Sequence, residues 1–225
     1  MPVLVALVVL PLAIIAAQSW LGASGALGSS IYKLSFLVPP LIYCRAQGLH
    51  LGRDIFRWRN WRNHLPLAVL LGVLGGAIFL GAYAALGNLL LDKSAITEKI
   101  HRQFSVTAAT VLMIAPVTIV ANSLLEEFFY RGFAFGLLAP RHPWLGTLLP
   151  AGVFTVQHLL FIYHWVTLLP LLLAIVGLFV FALVLQALYA KADSIVAPWI
   201  VHILGDVAMM LIAVQLVFAA VGAEK

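Results

Sequence analysis

Long uninterrupted apolar runs are the feature that most limits what this chain can fold into. The 225 residues are 64% hydrophobic and only 9% charged, whereas an average soluble domain is about half apolar and about a quarter charged. Most runs are as long as, or longer than, the roughly 17–25 residues that cross a bilayer as a helix. Because the runs do not alternate apolar and polar residues, they predict helices and not the strands of a membrane barrel.

Seven such runs predict an all-α fold, a polytopic transmembrane bundle of about seven spanning helices. In chain order the predicted spans are Pro2–Gln18, Ile31–Arg45, Leu65–Leu91, Thr107–Leu138, Leu145–Tyr163, Leu168–Ala190 and Ile195–Ala220. No repeat, linker or low-complexity tract divides residues 1–225, so we expect a single integral-membrane domain. No Lys or Arg precedes the first run, which we therefore interpret as a retained helix and not a signal peptide.

Positive charge is concentrated between the second and third predicted spans. The stretch "RDIFRWRNWRNH" there interleaves arginines with aromatic residues, a pattern that suits an anionic membrane surface. The excess of Lys and Arg on this side predicts a cytoplasmic N-terminus by the positive-inside rule. The net charge of +5 is therefore interpreted as an orientation and headgroup signal, with the lipid bilayer as a partner and no nucleic acid.

The stretch "NSLLEEFFYRGF", which begins at Asn122, places three ionisable groups inside an apolar run. Residues four apart share a helix face, so Glu127 and Arg131 can form an intrahelical ion pair. Glu126 lies on a different face from Arg131. Its own face carries Asn122 and Tyr130, which could donate hydrogen bonds to the carboxylate or to a water that it holds. The stretch therefore predicts one structural ion pair and one free carboxylate, and an ionisable residue within a span is a functional-site hypothesis.

Two further runs carry histidine. His158 lies in "FTVQHLLF", and His202 lies in "PWIVHILGDV", four residues before Asp206, whose carboxylate can orient or charge the imidazole. Counted at about 1.5 Å per residue from the cytoplasmic helix ends, Glu126, His158 and His202 lie roughly 18, 20 and 11 Å deep. These depths allow one shared site inside the bundle.

A glutamate and two histidines admit two chemistries. They could bind Zn²⁺ and acidify its water, with Asp206 as a fourth ligand. Alternatively, Glu126 is itself the general base for a water held against His158. The H-E-x-x-H spacing of helix-borne zinc proteases is absent, and the residues alone leave both versions open.

Three motifs in this order on separate spans resemble the CPBP family, which comprises CAAX prenyl endopeptidases and Abi-type bacteriocin-processing proteins. "EEFFYR" fits E-E-x-x-x-R, "FTVQH" fits F-x-x-x-H, and "HILGD" fits H-x-x-x-N/D, over about residues 107–220. The resemblance implies a glutamic-type intramembrane endopeptidase whose partner is a membrane-anchored peptide or protein. Its substrate would be a CAAX-like end, a C-terminal sorting tail or a peptide precursor. We expect no cofactor, with zinc the less favoured alternative, and a location in the plasma membrane of a prokaryote.

Residue roles follow from the same resemblance. It implies that the catalytic residues are Glu126, His158, His202 and Asp206. The supporting residues would be Glu127, Arg131 and Asn122. Glu126 would activate the water, His158 would help to hold it, and His202 would stabilise the oxyanion. Asp206 departs from the prenyl-protein enzymes, which have Asn there, because an ionised Asp cannot donate a hydrogen bond. Asp206 would therefore act when protonated, or indirectly by holding His202 as a donor.

Two other functions fit the same residues. Intramembrane Glu, His and Asp also mark ion pathways, so a proton-coupled transporter is one alternative, although the repeated halves common in transporters are missing. The second alternative is a noncatalytic scaffold or immunity protein with the same fold. The complete set of one glutamate and two histidines argues against a loss of activity.

Overall fold

The computed structural model describes residues 1–20, 26–104, 107–164 and 166–223, and these ranges contain helices and no strand. Eight helices are α1 (Pro2–Trp20), α2 (Ala26–Ala46), α3 (Trp61–Leu90), α4 (Lys93–Phe104), α5 (from Ala108–Pro116 through to Gly136–Leu138), α6 (Pro143–Ile162), α7 (Leu168–Ala192) and α8 (Val196–Ala223). A one-turn helix, Leu51–Phe56, lies between α2 and α3. The predicted all-α class is confirmed.

Five helices within the described ranges are long and apolar enough to cross a membrane, namely α3, the Thr110–Leu138 part of α5, α6, α7 and the Val196–Ala219 part of α8. They correspond to the last five predicted spans. The first helix contains a shorter apolar segment, Pro2–Ala17. The first two predicted spans, Pro2–Gln18 and Ile31–Arg45, therefore stay predictions, as does the total of seven.

The second half of α5 lies in the centre of the bundle. Residues 126–134 are all buried, and they contact α2, α6, α7 and α8. Ionisable side chains within a membrane span are costly to expose to lipid, and here the neighbouring helices cover Glu126, Glu127 and Arg131. The outer helices instead leave large apolar side chains uncovered, such as Ile78 on α3 and Leu168 on α7, which suits contact with lipid.

Helix α5 does not have regular geometry. It alternates between α-helical and wider π-helical turns, in the order Ala108–Pro116 (α), Val117–Asn122 (π), Ser123–Glu127 (α), Phe128–Phe135 (π) and Gly136–Leu138 (α). The first change follows Pro116, which has no backbone N–H to donate to the preceding turn. Short π-helical turns inside α-helices are frequent at functional sites. The two adjacent glutamates lie between the two π-helical segments.

The basic loop before α3 packs into one end of the bundle. We name residues 51–59 the collar. Ile55 in the collar is fully buried, and its carbonyl accepts a hydrogen bond of 2.9 Å from the hydroxyl of Tyr189 on α7. Gly132 on α5 faces Ile55 so closely that a Cβ atom there would lie 2.7 Å from Ile55 Cγ2. The stretch expected at the membrane surface thus also inserts one side chain into the protein.

Charged groups fix the exposed half of the collar to the end of α7. Asp193, which follows α7 in a left-handed conformation with φ 46°, lies 3.5 Å from both Arg57 and Arg59. Arg57 also donates to the carbonyl of Gly136 on α5 at 3.4 Å. The collar therefore contacts both α5 and α7, while Trp58 and Arg59 stay exposed.

Candidate active site

Three helices bring together the polar side chains whose predicted depths allow one shared site. Glu126 is on α5, His158 on α6 and His202 on α8. The Nε2 atom of His158 lies 3.6 Å from Glu126 Oε2, and the Nε2 atom of His202 lies 3.8 Å from the same oxygen. One carboxylate oxygen thus faces two imidazoles from two other helices. The catalytic roles of these residues stay predictions.

The cluster is enclosed on most sides. Glu126 and His202 are each 3% exposed, whereas the side chain of His158 is 28% exposed. Burial keeps bulk water away from the carboxylate and strengthens its electrostatic interactions. Among these three side chains, His158 marks the side of the cluster that is most open.

The other oxygen of Glu126 is held by amide groups. Oε1 accepts hydrogen bonds from Asn122 Nδ2 at 2.9 Å and from Gln157 Nε2 at 3.5 Å. The bond from Asn122 agrees with the spacing of four residues. Tyr130 does not donate to the carboxylate, because its hydroxyl donates to Gln157 Oε1 at 2.7 Å. Gln157 was not predicted as a site residue, although a glutamine beside a motif histidine in an apolar run was a possible signal.

Glu127 has a separate set of partners. Arg131 Nη1 lies 2.9 Å from Glu127 Oε1, and both side chains are fully buried, as the spacing of four residues predicts. The same oxygen accepts a hydrogen bond of 2.7 Å from His202 Nδ1. Asp206, which the sequence suggested as the orienting carboxylate, has its Oδ1 3.8 Å from His202 Nε2, beyond hydrogen-bond distance. Glu127 orients the imidazole instead, through a contact between helices that spacing within one helix cannot reveal.

Phe154, the aromatic residue of the F-x-x-x-H motif, lies at the centre of these contacts. Its ring is 1% exposed, and the guanidinium of Arg131 lies 4.6 Å from the ring centroid. The imidazole of His158 packs at 4.2 Å from the ring and that of His202 at 6.0 Å. A cation over an aromatic face is stabilised by the negative charge of that face. Phe154 thus supports both the arginine and the two histidines.

Hydrogen bonds at Nδ1 fix the protons of both histidines. Nδ1 of His158 lies 2.8 Å from the carbonyl oxygen of Phe154, and Nδ1 of His202 lies 2.7 Å from Glu127 Oε1. Both partners only accept, so each Nδ1 carries a proton. Each Nε2 atom therefore accepts in the neutral ring, and can donate only when the ring is the doubly protonated imidazolium.

Metal binding has no clear geometric support in the part of the chain that the structure describes. No group of three or more His, Cys, Asp or Glu side chains is arranged there to hold a metal ion. Asp206, the suggested fourth ligand, is 13% exposed at its side chain and lies 3.8 Å from His202 Nε2. Catalysis without a metal stays a prediction.

Comparison with known proteins finds one family that is similar to the segment carrying this site. Residues 108–208 match the family model described as "Type II CAAX prenyl endopeptidase Rce1-like", and this segment contains all three motifs. No curated protein and no solved structure matches the chain significantly. The match indicates a peptidase, and five apolar helices agree with an integral membrane protein. Over the segment that carries the candidate site, the chain is similar to the Rce1-like family of type II CAAX prenyl endopeptidases.

Proposed function

We propose that this protein is an intramembrane endopeptidase in which Glu126 is the general base for a water molecule. The observation that carries the proposal is the position of Glu126 Oε2. This buried oxygen has no hydrogen-bond partner in the described chain, and it faces Nε2 of His158 and of His202 at 3.6 and 3.8 Å. A general base needs a free lone pair directed at the place where the proton is removed, and Oε2 offers one.

The first chemical step is the addition of water to the scissile peptide bond. The water oxygen forms a bond with the carbonyl carbon, and a proton of the water passes to Glu126 Oε2. The π-electron pair of the carbonyl moves onto its oxygen, which becomes an oxyanion. His202 in its imidazolium form donates from Nε2 to this oxyanion. His158 helps to hold the water through its own Nε2.

The second step breaks the peptide bond. The proton on Glu126 Oε2 passes to the leaving nitrogen, the oxyanion re-forms the carbonyl, and the C–N bond breaks with its electron pair going to nitrogen. The products are a new carboxyl terminus and an amine, and Glu126 returns to its carboxylate form. Glu127 Oε2 is also without a hydrogen-bond partner in the described chain. Glu127 is not assigned this part, because its carboxylate is paired with the buried Arg131 cation and with His202, whereas Glu126 Oε2 faces the Nε2 atoms of both histidines.

The location of the site and the family match support a membrane-associated substrate. Glu126, His158 and His202 lie on helices long enough to span a membrane, so the substrate must be associated with the membrane to reach them. The family description supports a CAAX-like carboxyl end, and a hydrophobic sorting tail or a peptide precursor would present a similar chain. The exposed side of His158 is where such a chain would approach.

Mass spectrometry of defined peptides tests this proposal. Purified protein in liposomes is incubated with a peptide whose farnesylated cysteine is the fourth residue from the carboxyl end, with the same peptide unprenylated, and with a peptide that has a hydrophobic tail. We expect wild-type protein to release a fragment whose mass corresponds to hydrolysis of one peptide bond, and Glu126→Gln to release none. Equal product from both proteins would contradict the role of Glu126.

The same preparation separates the two alternative functions. Proton flux into liposomes without cleavage of any peptide would favour a proton-coupled transporter. A preparation that shows no proton flux and no peptide cleavage would favour a noncatalytic scaffold.

A further inference from the structure

The two oxygens of the Glu126 carboxylate have different surroundings. Oε1 accepts from Asn122 Nδ2 at 2.9 Å and from Gln157 Nε2 at 3.5 Å. Oε2 has no hydrogen-bond partner in the described chain and faces the two imidazoles. The last torsion of a glutamate side chain is broad and roughly two-fold, so the side chain alone does not distinguish one oxygen from the other. The amide donors do.

Tyr130 fixes the orientation of the Gln157 amide. A carboxylate only accepts, so the NH₂ group of Gln157 must face Glu126 and its carbonyl oxygen must face away. That oxygen accepts the hydroxyl of Tyr130 at 2.7 Å. Gln157 is 2% exposed and Tyr130 is fully buried, so no bulk water competes for these groups. Leaving either one without a partner would be costly at this depth.

We propose that Gln157 is a positioning residue for the peptidase reaction. The chain of hydrogen bonds from Tyr130 through Gln157 to Glu126 keeps Oε1 occupied, so that Oε2 is the atom that takes the proton from water. This inference rests on the proposed function, because it assigns the reacting oxygen of the proposed base.

Gln157 also differs from Asn122 in where it comes from. Asn122 lies one turn before Glu126 on the same helix, α5, so its bond holds the carboxylate relative to α5 alone. Gln157 is on α6, next to His158. Its bond therefore ties the base to the helix that carries one of the two histidines, and its loss should disturb the alignment between them.

Steady-state kinetics on a cleaved farnesylated peptide test this role. We expect Gln157→Leu to lower kcat about 10- to 100-fold, the effect of losing one hydrogen bond to a charged group, with KM within about two-fold of wild type. Gln157→Glu keeps the shape but replaces the donor by a carboxylate, so we expect a comparable or larger loss of kcat. The matched control is Thr155→Val, since Thr155 is buried on the same helix and donates only to Ala151 O at 2.9 Å; we expect its kcat to stay at the wild-type level.

Tyr130→Phe tests whether the residues act as a chain. The ring keeps its packing against Phe154, whose centroid lies 5.2 Å away, so the fold should be retained. We expect a smaller loss of kcat than in Gln157→Leu, and we expect the double variant Tyr130→Phe/Gln157→Leu to be no worse than Gln157→Leu alone. Losses that multiply in the double variant would overturn the chain, and a kcat of Gln157→Leu within two-fold of wild type would overturn the positioning role.

An infrared difference spectrum tests the inference without any substrate. The carboxyl band of Glu126 is identified by subtracting the spectrum of Glu126→Gln from that of wild type. We expect this band to shift in Gln157→Leu, because one oxygen loses a donor, and to stay in place in Thr155→Val. An unshifted band would overturn the contact. Activity that persists in Glu126→Gln would instead overturn the proposed function, so the two failures are distinguishable.

Discussion

The adjacent glutamates on α5 differ in their contacts. Glu127 is held by a cation and by an imidazole, through Arg131 and His202. Glu126 is held at one oxygen by the neutral amides of Asn122 and Gln157, and its other oxygen faces the Nε2 atoms of His158 and His202. Under the proposed function, Glu127 is a structural group and Glu126 is the reactant, although both are almost fully buried.

Replacing Glu127 should destabilise the protein. Glu127→Gln leaves the buried guanidinium of Arg131 without its carboxylate, a change that costs about 3–5 kcal/mol in the free energy of unfolding. Thermal and chemical unfolding in detergent would measure the loss, with Glu126→Gln as the control that keeps near-native stability. A Glu127→Gln protein that is fully stable but inactive, beside a Glu126→Gln protein with normal turnover, would show that the two roles are reversed.

Asp206 can be tested against the amide that the prenyl-protein enzymes have at its position. An asparagine can donate to an oxyanion near His202, whereas an ionised aspartate cannot. We therefore expect Asp206→Asn to keep or raise kcat, and Asp206→Leu to lower it about 10-fold or more. Both are measured on the same cleaved peptide. A stable but inactive Asp206→Asn protein would mean that the carboxyl group itself is required.

At the scale of single helices, spacing revealed the contacts within a helix and missed those between helices. The pairs Asn122–Glu126 and Glu127–Arg131 are both four residues apart, so helical geometry alone predicts them. The bond from Gln157 to Glu126 depends on how α5 and α6 are rotated against each other, and a single sequence does not record that rotation. The π-helical turns of α5 were not predicted either, because only Pro116 in this segment indicates irregular helix geometry.

The contact between α5 and the collar gives a prediction at the same scale. A Cβ atom at Gly132 would lie 2.7 Å from Ile55 Cγ2 and 3.1 Å from the Ile55 carbonyl oxygen, whereas Gly152 on α6 has no atom within 4 Å of such a Cβ. We expect Gly132→Ala to lower the free energy of unfolding by about 1–3 kcal/mol through overpacking. Gly152→Ala is the matched control and should be neutral or slightly stabilising. Equal melting temperatures of the two variants would contradict a tightly packed collar.

For the whole molecule, composition was enough to predict the class and most of the architecture. Five of the seven predicted spans are helices able to cross a membrane, because sustained apolar length is a strong signal. The insertion of the collar was not predicted. It depends on Gly132 making room for Ile55 and on a donor from Tyr189, and both residues are distant in the sequence.

Metal analysis tests whether the whole protein works without an ion. Glu126, His158 and His202 are of the residue types that bind a catalytic zinc, whereas the proposed mechanism uses them to hold water and charge directly. We expect active purified protein to contain far less than one equivalent of zinc, and exhaustive chelation to leave its activity intact. Stoichiometric zinc, with activity lost on its removal and restored on its return, would make Glu126 a ligand and not a base.

The turnover of Glu126→Gln on a cleaved peptide is the most direct test of the account. The substitution keeps the shape of the side chain and removes the lone pair on Oε2 that takes the proton from water. With the melting temperature matched to wild type, we predict that kcat falls by at least about 100-fold, the usual range for loss of a general base. A stable Glu126→Gln protein whose kcat stays within about two-fold of wild type would contradict the central claim, since general-base catalysis by Glu126 could not then be the mechanism.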